Sequence, residues 1–450
     1  MKKLPVLSSQ VSLKGKKVLV RVDWNIPLHK IPEPGDLAKI QQNARTIQDL
    51  IKKGAIVILM THLGRPERNG KNYSTVRLLS YAEAYIERPI MFCGESLIDA
   101  DGLIATKQCI DNGKPGDVFL LENVRFYEGE NKNDKNLAKA YTSLADIYIN
   151  DAFAFCHRKN ASMVAITEYL PHFAGPQLTQ EVSSINKIIS KPKKPFVALI
   201  GGAKLTTKMP VMTALLKKAD QILIGGAMAH PFFVAKKQKI GKSFLDKESI
   251  AIAKKLLKNK KILLPTDVVV AKKIQHGAKV RCVKLDKIVG NDVIGDIGTQ
   301  TMREWSQIIK TAQTILWNGP VGVAELPAFS HGSLVLGQAI ASKSKGKAYG
   351  VVGGGDTVPV AMETGMCEWF DHVSMGGGAL LEFIANNGKL PGLTALMSKQ
   401  LKTKKNVSPI IRKVKPQTVK AKKVVQSKKS RTKKPVKKFV KIKKSSSKKK

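Results

Sequence analysis

The stretch Val-Val-Gly-Gly-Gly-Asp-Thr at 351–357 joins the end of an apolar strand to the expected start of a helix. Its three glycines let the backbone turn tightly and approach a ligand closely. Asp356 and Thr357 follow at the turn, so bare backbone N–H groups, a helix N-terminus and one carboxylate come together. This combination is typical of a phosphate site that also holds a hard cation.

The same unit of an apolar run, a polar or glycine turn and a helical pattern recurs along the chain. The other runs are 17–25, 55–64, 117–126, 145–153, 195–204, 221–228, 261–271 and 314–322. Helical patterns lie between them, as at 40–54, 211–218 and 248–259. Strands that alternate with helices predict parallel sheets covered on both faces. Nine core strands are too many for one compact domain of this length, so we expect an α/β fold with two doubly wound parallel-sheet domains.

Residues 177–190 predict one amphipathic helix, and the Lys-Pro cluster at 191–195 ends it. We expect this helix to be the hinge between the two domains. The predicted segments are an N-terminal domain at 1–173, the interdomain helix and hinge at 174–195, a C-terminal domain at 196–384, a segment returning to the N-terminal domain at 385–397, and a disordered Lys-rich tail at 398–450.

The net charge of +43 is unevenly spread. Residues 401–450 hold 22 Lys or Arg and no Asp or Glu, which is about half of the excess. Too few apolar residues interrupt these charges for the segment to pack, so we expect disorder. Such a tail resembles basic arms that bind nucleic acid or another polyanion. A solvated tail without a partner and a tail that binds an acidic membrane surface remain open alternatives.

Five scattered cysteines, without a CxxC pair, predict neither a disulfide framework nor a structural zinc site. A reducing, cytoplasmic location fits this usage. The N-terminus lacks the apolar core of a signal peptide, and the longest apolar runs have only strand length, so no transmembrane segment is expected.

The strand ends of the two halves differ in character. Those of the first half carry Arg21, Asp23, Asn25, His62, Arg65, Arg125, His157 and Arg158, with Lys39 on the helical segment after the first run. Because ligands bind beyond the carboxyl ends of such strands, these groups predict an anion pocket. The strand ends of the second half carry glycines at 201–202, 225–226, 319, 353–355 and 376–378. Glycines let a flat ligand and a phosphate chain lie against the backbone, which predicts a nucleotide site.

Eight longer motifs follow one another along the chain. They are VRVDWNIP (20–27), HLGRP (62–66), LENVRFYEGE (121–130), NDAF with HR (150–158), GGAKLTTK (201–208), WNGPVGVAE (317–325), GGGDT (353–357) and GGGA with LE (376–382). In sequence and in order they resemble the phosphoglycerate kinase family, over about residues 5–395. The resemblance implies reversible phosphoryl transfer between ATP and the carboxylate of 3-phosphoglycerate, as in glycolysis, by a monomer.

The resemblance also implies roles for individual residues. The 3-phosphoglycerate and 1,3-bisphosphoglycerate site would comprise Asp23, Asn25, Lys39, His62, Arg65, Arg125 and Arg158. The ATP/ADP site would comprise Lys204, Lys208, Gly225, Asn318, Glu325, Gly353, Gly354, Gly355, Asp356 and Thr357, with Asp356 also holding Mg²⁺. Lys39, Lys208 and the turn at Gly376 would stabilise the transferring phosphoryl group. Since the carboxylate nucleophile is ionised at pH 7, no general base is needed.

The chain departs from the family pattern at several of these positions. Lys39 stands where an arginine is expected, and Asn160 stands where the basic patch has a histidine. Ala154 and Phe155 replace a Gly-Thr pair, Ala324 replaces an aromatic residue and Met375 replaces a threonine. Lysine keeps the charge of arginine but loses its planar fork.

Two other functions compete with this hypothesis. The first is a catalytically weakened kinase homologue that binds nucleic acid or another polyanion through its basic tail. The second is a different acyl-phosphate kinase with a similar nucleotide half, which HLGRP and ENVRF disfavour. The intact GGGDT motif and Lys208 favour an active enzyme over the first alternative.

Overall fold

The structure is a computed structural model that describes residues 3–8, 11–29, 31–32, 34–66 and 70–399. The chain divides into a unit of residues 1–404 and a unit of residues 405–450. Apart from residues 398 and 399, the predicted tail lies outside the described residues.

The first half forms a six-stranded parallel sheet. Its strands are β1 (Lys17–Arg21), β2 (Ile56–Met60), β3 (Ile90–Cys93), β4 (Val118–Leu121), β5 (Ile147–Asn150) and β6 (His172–Ala174), in the order β3-β4-β2-β1-β5-β6. Its helices are α1 (Pro34–Lys52), α2 (Leu79–Ile86), α3 (Ala100–Asp111), α4 (Glu128–Lys132) and α5 (Lys135–Thr142), and α6 (Pro176–Ser190) follows the sheet. Every residue of β2 is buried, as expected for a strand covered on both faces.

The second half forms another six-stranded parallel sheet and a small antiparallel sheet. Its strands are β7 (Phe196–Ile200), β8 (Gln221–Ile224), β9 (Ile262–Leu263), β10 (Asp267–Ala271), β11 (Arg281–Lys284), β12 (Val293–Ile297), β13 (Thr314–Asn318), β14 (Tyr349–Gly353) and β15 (His372–Ser374). Its helices are α7 (Leu205–Lys218), α8 (His230–Ala235), α9 (Ser249–Leu256), α10 (Thr299–Thr311), α11 (His331–Lys345), α12 (Thr357–Glu363), α13 (Gly378–Ala385) and α14 (Pro391–Leu396). The parallel order is β15-β14-β13-β7-β8-β9, and β11-β10-β12 is the antiparallel order.

The predicted α/β fold with parallel sheets is confirmed, but one predicted strand is wrong. Residues 261–271 form two strands in different sheets, β9 and β10, with Pro265 between them. Proline has no backbone N–H for a strand ladder, so the apolar run cannot continue as one strand through it. The antiparallel sheet as a whole was not predicted.

Both parallel sheets reverse their strand order at one internal position, β1 beside β5 in the first and β7 beside β13 in the second. Crevices at such positions bind ligands. At the second crevice the backbones nearly touch, because the N–H of Gly202 donates to the carbonyl of Pro320 at 3.0 Å. A Cβ on Gly201 would lie 1.9 Å from the Pro320 carbonyl oxygen, so only glycine fits there.

Helix α6 connects the two sheets through the apolar core. Leu178, Ile185 and Ile188 of α6 are fully buried in a core that extends from one face of the first sheet to one face of the second. The side chain of Glu181, 2% exposed, accepts from His372 Nε2 at 2.7 Å and from the Met375 backbone N–H at 3.0 Å. The helix is therefore bonded to the turn that precedes Gly376.

Gly201→Ala should lower the free energy of unfolding by roughly 1–3 kcal/mol, because its methyl group would force β7 and β13 apart. Gly290→Ala is the matched control, since a Cβ there meets no atom within 4 Å. Chemical denaturation followed by circular dichroism measures both variants. Equal midpoints for the two variants would contradict the packing argument.

Candidate active site

Six predicted residues of the first half follow the carboxyl ends of its strands. Asp23 and Asn25 follow β1, His62 and Arg65 follow β2, Arg125 lies in the 3-10 turn Val124–Phe126 after β4, and Arg158 follows the 3-10 turn Phe153–Phe155 after β5. Because β1, β2, β4 and β5 are parallel, these ends meet at one edge of the sheet.

Arg65, Arg125 and Arg158 line one cavity of about 790 Å³, which we call the basic cavity. Its other lining residues are Pro66, Asn131, His157, Lys159, Asn160 and Glu382. Burial, followed by the charges of Arg21, Arg158 and Arg65, lowers the pKa of Arg125 to about 10. The positive charges are thus crowded, and an anion bound among them would relieve their repulsion.

Phe155 organises the charged groups behind the basic cavity. Its ring meets the His62 ring edge to face, with centroids 4.0 Å apart, and the guanidinium carbons of Arg21 and Arg125 lie 5.3 and 5.9 Å from its centroid. Sequence reasoning identifies Phe155 only as a departure from the family pattern. Cation–π attraction stabilises guanidinium groups at these distances.

His62 presents a buried donor without a partner. Its Nδ1 lies 3.4 Å from Nη2 of Arg21, which can only donate, so Nδ1 accepts and the proton of the neutral ring is on Nε2. Burial and then the charges of Arg21, Arg125, Lys39 and Arg158 lower the pKa of His62. Its Nε2 is buried and has no hydrogen-bond partner in the described part of the chain, as a group awaiting a ligand oxygen would be.

Lys39 reaches the crevice from α1. Its Nζ donates to the Asn25 carbonyl at 3.1 Å and lies 3.5 Å from Oδ2 of Asp23, while Oδ1 of Asn25 accepts from the Gly64 N–H at 2.8 Å. A small cavity is lined by Asp23, Lys39, Gln42, Asn43, Asp151, Phe153, Ala154, Gln177, Glu181, Met375 and Gly376. The structure therefore brings Lys39 of the first half and Gly376 of the second half to one cavity.

A buried network fixes Arg21 behind these groups. Arg21 Nε donates to Ser162 Oγ at 3.1 Å, and Ser162 Oγ donates to Oε1 of Glu130 at 2.6 Å. Asn160 Nδ2 also donates to Glu130, at 3.2 Å. The amide that stands in the family's histidine position thus supports a fully buried carboxylate that sequence reasoning did not single out.

The second half holds a cavity of about 220 Å³ at the ends of β7, β8 and β13, which we call the glycine cavity. Its backbone wall includes Gly202, Gly226 and Gly322, and the predicted residues Glu325 and Asp356 line it as exposed side chains. Gly225, which the sequence predicts at the nucleotide, is buried beside this wall, where a Cβ would lie 2.6 Å from Val321. Its neighbour Gly226 lines the cavity.

The remaining predicted nucleotide residues meet around Asn318. Asn318 accepts from Lys208 Nζ and donates to the Gly353 carbonyl at 2.5 Å, while Thr357 Oγ1 accepts from the Gly319 N–H at 2.7 Å. Burial lowers the pKa of Lys208 to about 8, and the charge of Asp356 opposes that shift. Lys208 is therefore still mainly a cation at pH 7.

Lys204, Gly354 and Gly355 complete the predicted set. Lys204 is exposed at the start of α7, one helical turn before Lys208. Gly354 has φ +122°, which favours glycine, and a Cβ on Gly355 would meet no atom within 4 Å. The loop between β14 and α12 thus exposes its backbone.

The described residues contain no group of three or more His, Cys, Asp or Glu side chains placed to hold a metal ion. Asp356 is a single exposed carboxylate at the start of α12, and its side chain makes no capping bond to that helix. Mg²⁺ commonly binds through one or two carboxylates together with substrate phosphates and water. The donor set therefore fits Mg²⁺ that arrives with a nucleotide. Among the described helices, none is long and apolar enough to cross a membrane.

A family model described as phosphoglycerate kinase matches residues 8–387. The chain belongs to the phosphoglycerate kinase family. Membership makes it a kinase that acts on 3-phosphoglycerate, with ATP/ADP as the cosubstrate that the family implies. The match gives no support to the alternative of a weakened homologue that only binds polyanions, and it ends before the basic tail.

Relatives and solved structures agree with the family model. Phosphoglycerate kinases of Thermosipho africanus and Desulfosudis oleivorans are each 39% identical to the chain. Each alignment covers 87% of this chain, and the alignments cover 97% and 98% of the two relatives, respectively. The phosphoglycerate kinase structure from Coxiella burnetii has a TM-score of 0.74 at 35% identity, covering 87% of this chain and 99% of its own. The Pyrococcus horikoshii structure has a TM-score of 0.77 at 27% identity, covering 87% and 98%.

Asp296, which lines the glycine cavity, should make stability depend on pH. Burial raises its pKa to about 7, although the N–H groups of Gly332 and Ile297 donate to its oxygens at 2.7 and 2.8 Å. An unfolded aspartate titrates near pH 4, so between about pH 4 and 7 only the folded state keeps the proton. The stabilising contribution is complete below about pH 4 and falls by roughly 1.4 kcal/mol per pH unit until about pH 7.

Asp296→Asn cannot titrate, so its free energy of unfolding relative to wild type should rise from pH 4 to pH 7 and stay level above that. Urea denaturation at each pH measures the difference. A difference that is constant over this range would contradict the raised pKa.

Proposed function

We propose that the chain catalyses reversible, Mg²⁺-dependent transfer of a phosphoryl group between 1,3-bisphosphoglycerate and ADP, giving 3-phosphoglycerate and ATP. This is a step of glycolysis and gluconeogenesis. The observation that carries the proposal is the small cavity shared by Lys39 and Gly376, because the two residues come from opposite halves of the chain. An anion of the basic cavity and a nucleotide of the glycine cavity can react only where the halves meet.

The basic cavity would hold 3-phosphoglycerate. Arg65, Arg125 and Arg158 offer planar forks that suit a phosphate or carboxylate. The buried Nε2–H of His62 supplies a neutral donor, and Asn25 and Asp23 shape the side of the site nearest Lys39. A ligand with two or more negative charges would satisfy these groups better than a neutral sugar.

The glycine cavity would hold ATP or ADP, with its phosphates toward Asp356. Lys204 and Lys208 supply positive charge, and the turn at Gly353–Gly355 supplies backbone N–H groups. Asn318 and Thr357 hold the ends of β13 and β14 together beside that turn. Glu325, which lines the cavity, would accept hydrogen bonds from the ribose hydroxyls.

The phosphoryl transfer requires positive charge in the site rather than a general base. A carboxylate with a pKa near 4 is ionised at pH 7 and attacks without losing a proton. Two anions must approach, and charge spreads over the phosphoryl oxygens as the bond forms. Lys39, Lys208 and the N–H groups at Gly376 would stabilise that charge, most strongly when the halves close and exclude water. Mg²⁺, held by Asp356, neutralises negative charge on the nucleotide phosphates when it is bound.

We also propose that the protein is a monomer in the cytoplasm. Both proposed half-sites belong to one chain, so no second copy is needed to complete the site. All five cysteines are free, as in a reducing compartment.

Asp356→Asn should abolish turnover while weakening nucleotide binding far less, because it removes the carboxylate for Mg²⁺ and leaves the glycine turn intact. A coupled assay gives kcat, and calorimetric titration gives the nucleotide Kd. Glu363→Gln, at the other exposed end of α12, is the control and should keep both values. Near-normal kcat for Asp356→Asn would show that the metal carboxylate is another residue.

Lys39→Arg should raise kcat by about tenfold, or roughly 1.4 kcal/mol, because a guanidinium can bond two oxygens at once. Lys52→Arg, at the exposed end of the same helix, is the control. An unchanged or lower kcat would mean that the contacts of Lys39 with Asp23 and Asn25 already fit the site to lysine.

We propose that the basic tail binds nucleic acid or another polyanion and is dispensable for catalysis. The match to the family ends at residue 387, and the described chain remains packed through α14, whose Leu393 and Leu396 are fully buried. Truncation after Met397 should keep kcat/KM within a few-fold and lower duplex DNA affinity, most visibly near 50 mM salt. Equal DNA affinity with and without the tail would refute this role.

A further inference from the structure

The glycine cavity is lined by two chemically different sets of groups. Asp356 belongs to the polar set, and its charge acts on Lys208 of the proposed phosphate site. The remaining lining is largely apolar, with Phe233, Val268 and Ile294 among the side chains. A purine base suits apolar walls and a backbone of glycines, so this part of the cavity would receive the base.

His230 is the polar side chain of this apolar part that lacks a full set of partners. It begins α8, lines the cavity and is 3% exposed. Its Nδ1 lies 2.7 Å from the carbonyl oxygen of Phe244. A carbonyl can only accept, so Nδ1 carries a proton.

The other ring nitrogen of His230 is therefore an acceptor. Burial lowers the pKa of His230, so the ring is neutral near pH 7 and Nε2 bears a lone pair. Nε2 has no hydrogen-bond partner within the described ranges of the chain. Since Nδ1 is taken by Phe244, Nε2 is the atom left for a ligand in the cavity.

Asp296 and two backbone N–H groups of the wall are already engaged in hydrogen bonds. Both oxygens of Asp296 accept backbone N–H groups, from Gly332 and Ile297. The N–H groups of Gly202 and Gly226 donate to the carbonyls of Pro320 and Val321, at 3.0 and 2.9 Å. His230 is thus the residue placed to form a hydrogen bond with the edge of a purine base.

We propose that Nε2 of His230 accepts a hydrogen bond from the exocyclic amine of a 6-amino purine, which makes His230 a specificity-determining residue. This inference rests on the proposed function, because it assumes that the glycine cavity binds the base of ATP. A 6-oxo purine presents a carbonyl at the same place, where two lone pairs would face each other. The buried acceptor would then be unsatisfied, and a site built around one hydrogen bond rejects such an analogue.

The test compares ATP with inosine triphosphate, which has a carbonyl in place of the 6-amino group, and with purine riboside triphosphate, which has only hydrogen there. For the wild-type protein we expect kcat/KM to be about ten- to a hundredfold higher with ATP than with inosine triphosphate. Purine riboside triphosphate should lie between them. The preference should appear in KM, with kcat changed little.

His230→Phe keeps an aromatic ring but removes the acceptor, so its kcat/KM values for ATP and inosine triphosphate should come within about threefold of each other. His276→Phe, at an exposed histidine, is the control and should keep the wild-type preference. Equal kcat/KM for ATP and inosine triphosphate in the wild-type protein overturns the proposal, as does an unchanged preference in His230→Phe.

Direct titration of wild-type protein with ADP and inosine diphosphate separates this inference from the proposed function and needs no variant. An absence of turnover with every nucleotide would refute the proposed function, while tighter binding of ADP than of inosine diphosphate would still support the role of His230. Equal affinity for the two diphosphates would refute that role even in a fully active enzyme.

Discussion

The close approach of two backbones at the ends of β7 and β13 determines the geometry of the second half. The N–H of Gly201 donates to the Asn318 carbonyl and that of Gly202 to the Pro320 carbonyl, each at 3.0 Å. Asn318 is held there with its side chain between Lys208 and the Gly353 carbonyl. Three strand ends and the proposed phosphate lysine are thus fixed by one crossing that tolerates no side chain at Gly201. The glycines of this half therefore serve the fold as well as a ligand.

In the first half, by contrast, positive charge is concentrated at the basic cavity, and a buried arginine lies behind it. Arg21 is 1% exposed and is held by Ser162, the Val22 carbonyl and the Phe155 ring. The arginines of the basic cavity lie in front of it, and their mutual repulsion opposes folding. A protein can tolerate such a cost at a binding site, because the bound anion returns the missing negative charge.

The sequence was sufficient for the fold class, because apolar runs and glycine turns report directly on buried parallel strands. The sequence did not predict the short and exposed strands, whose apolar patterns are weak. Strands β6 and β15 have three residues each, and β11 is mostly exposed, so none has a readable apolar pattern. The motifs also located the strand-end residues of both proposed half-sites.

Contacts between residues that are distant along the chain could not be predicted from the sequence. Phe155 could be seen to differ from the family pattern, but its position between His62 and two arginines depends on how the turn after β5 folds. Glu130 lies in a quoted motif, yet its burial and its bonds to Ser162 and Asn160 depend on distant segments. His230 gave no signal at all, since a lone histidine is more often a packed residue than a ligand.

Helix α6 (Pro176–Ser190) is, in mechanical terms, a beam held at two points within its first two turns. Its first turn is fixed to the first half, where the Leu178 N–H donates to Asp151 at 3.0 Å and Gln177 donates to Gln42 at 3.0 Å. Farther along, Glu181 is fixed to His372 and to the Met375 backbone of the second half. Only about one helical turn separates the two points, so little free length is left to bend. A rotation of one sheet against the other must therefore strain these few hydrogen bonds first. The connection between the halves is then stiff for small rotations and gives way suddenly once one set of these hydrogen bonds breaks.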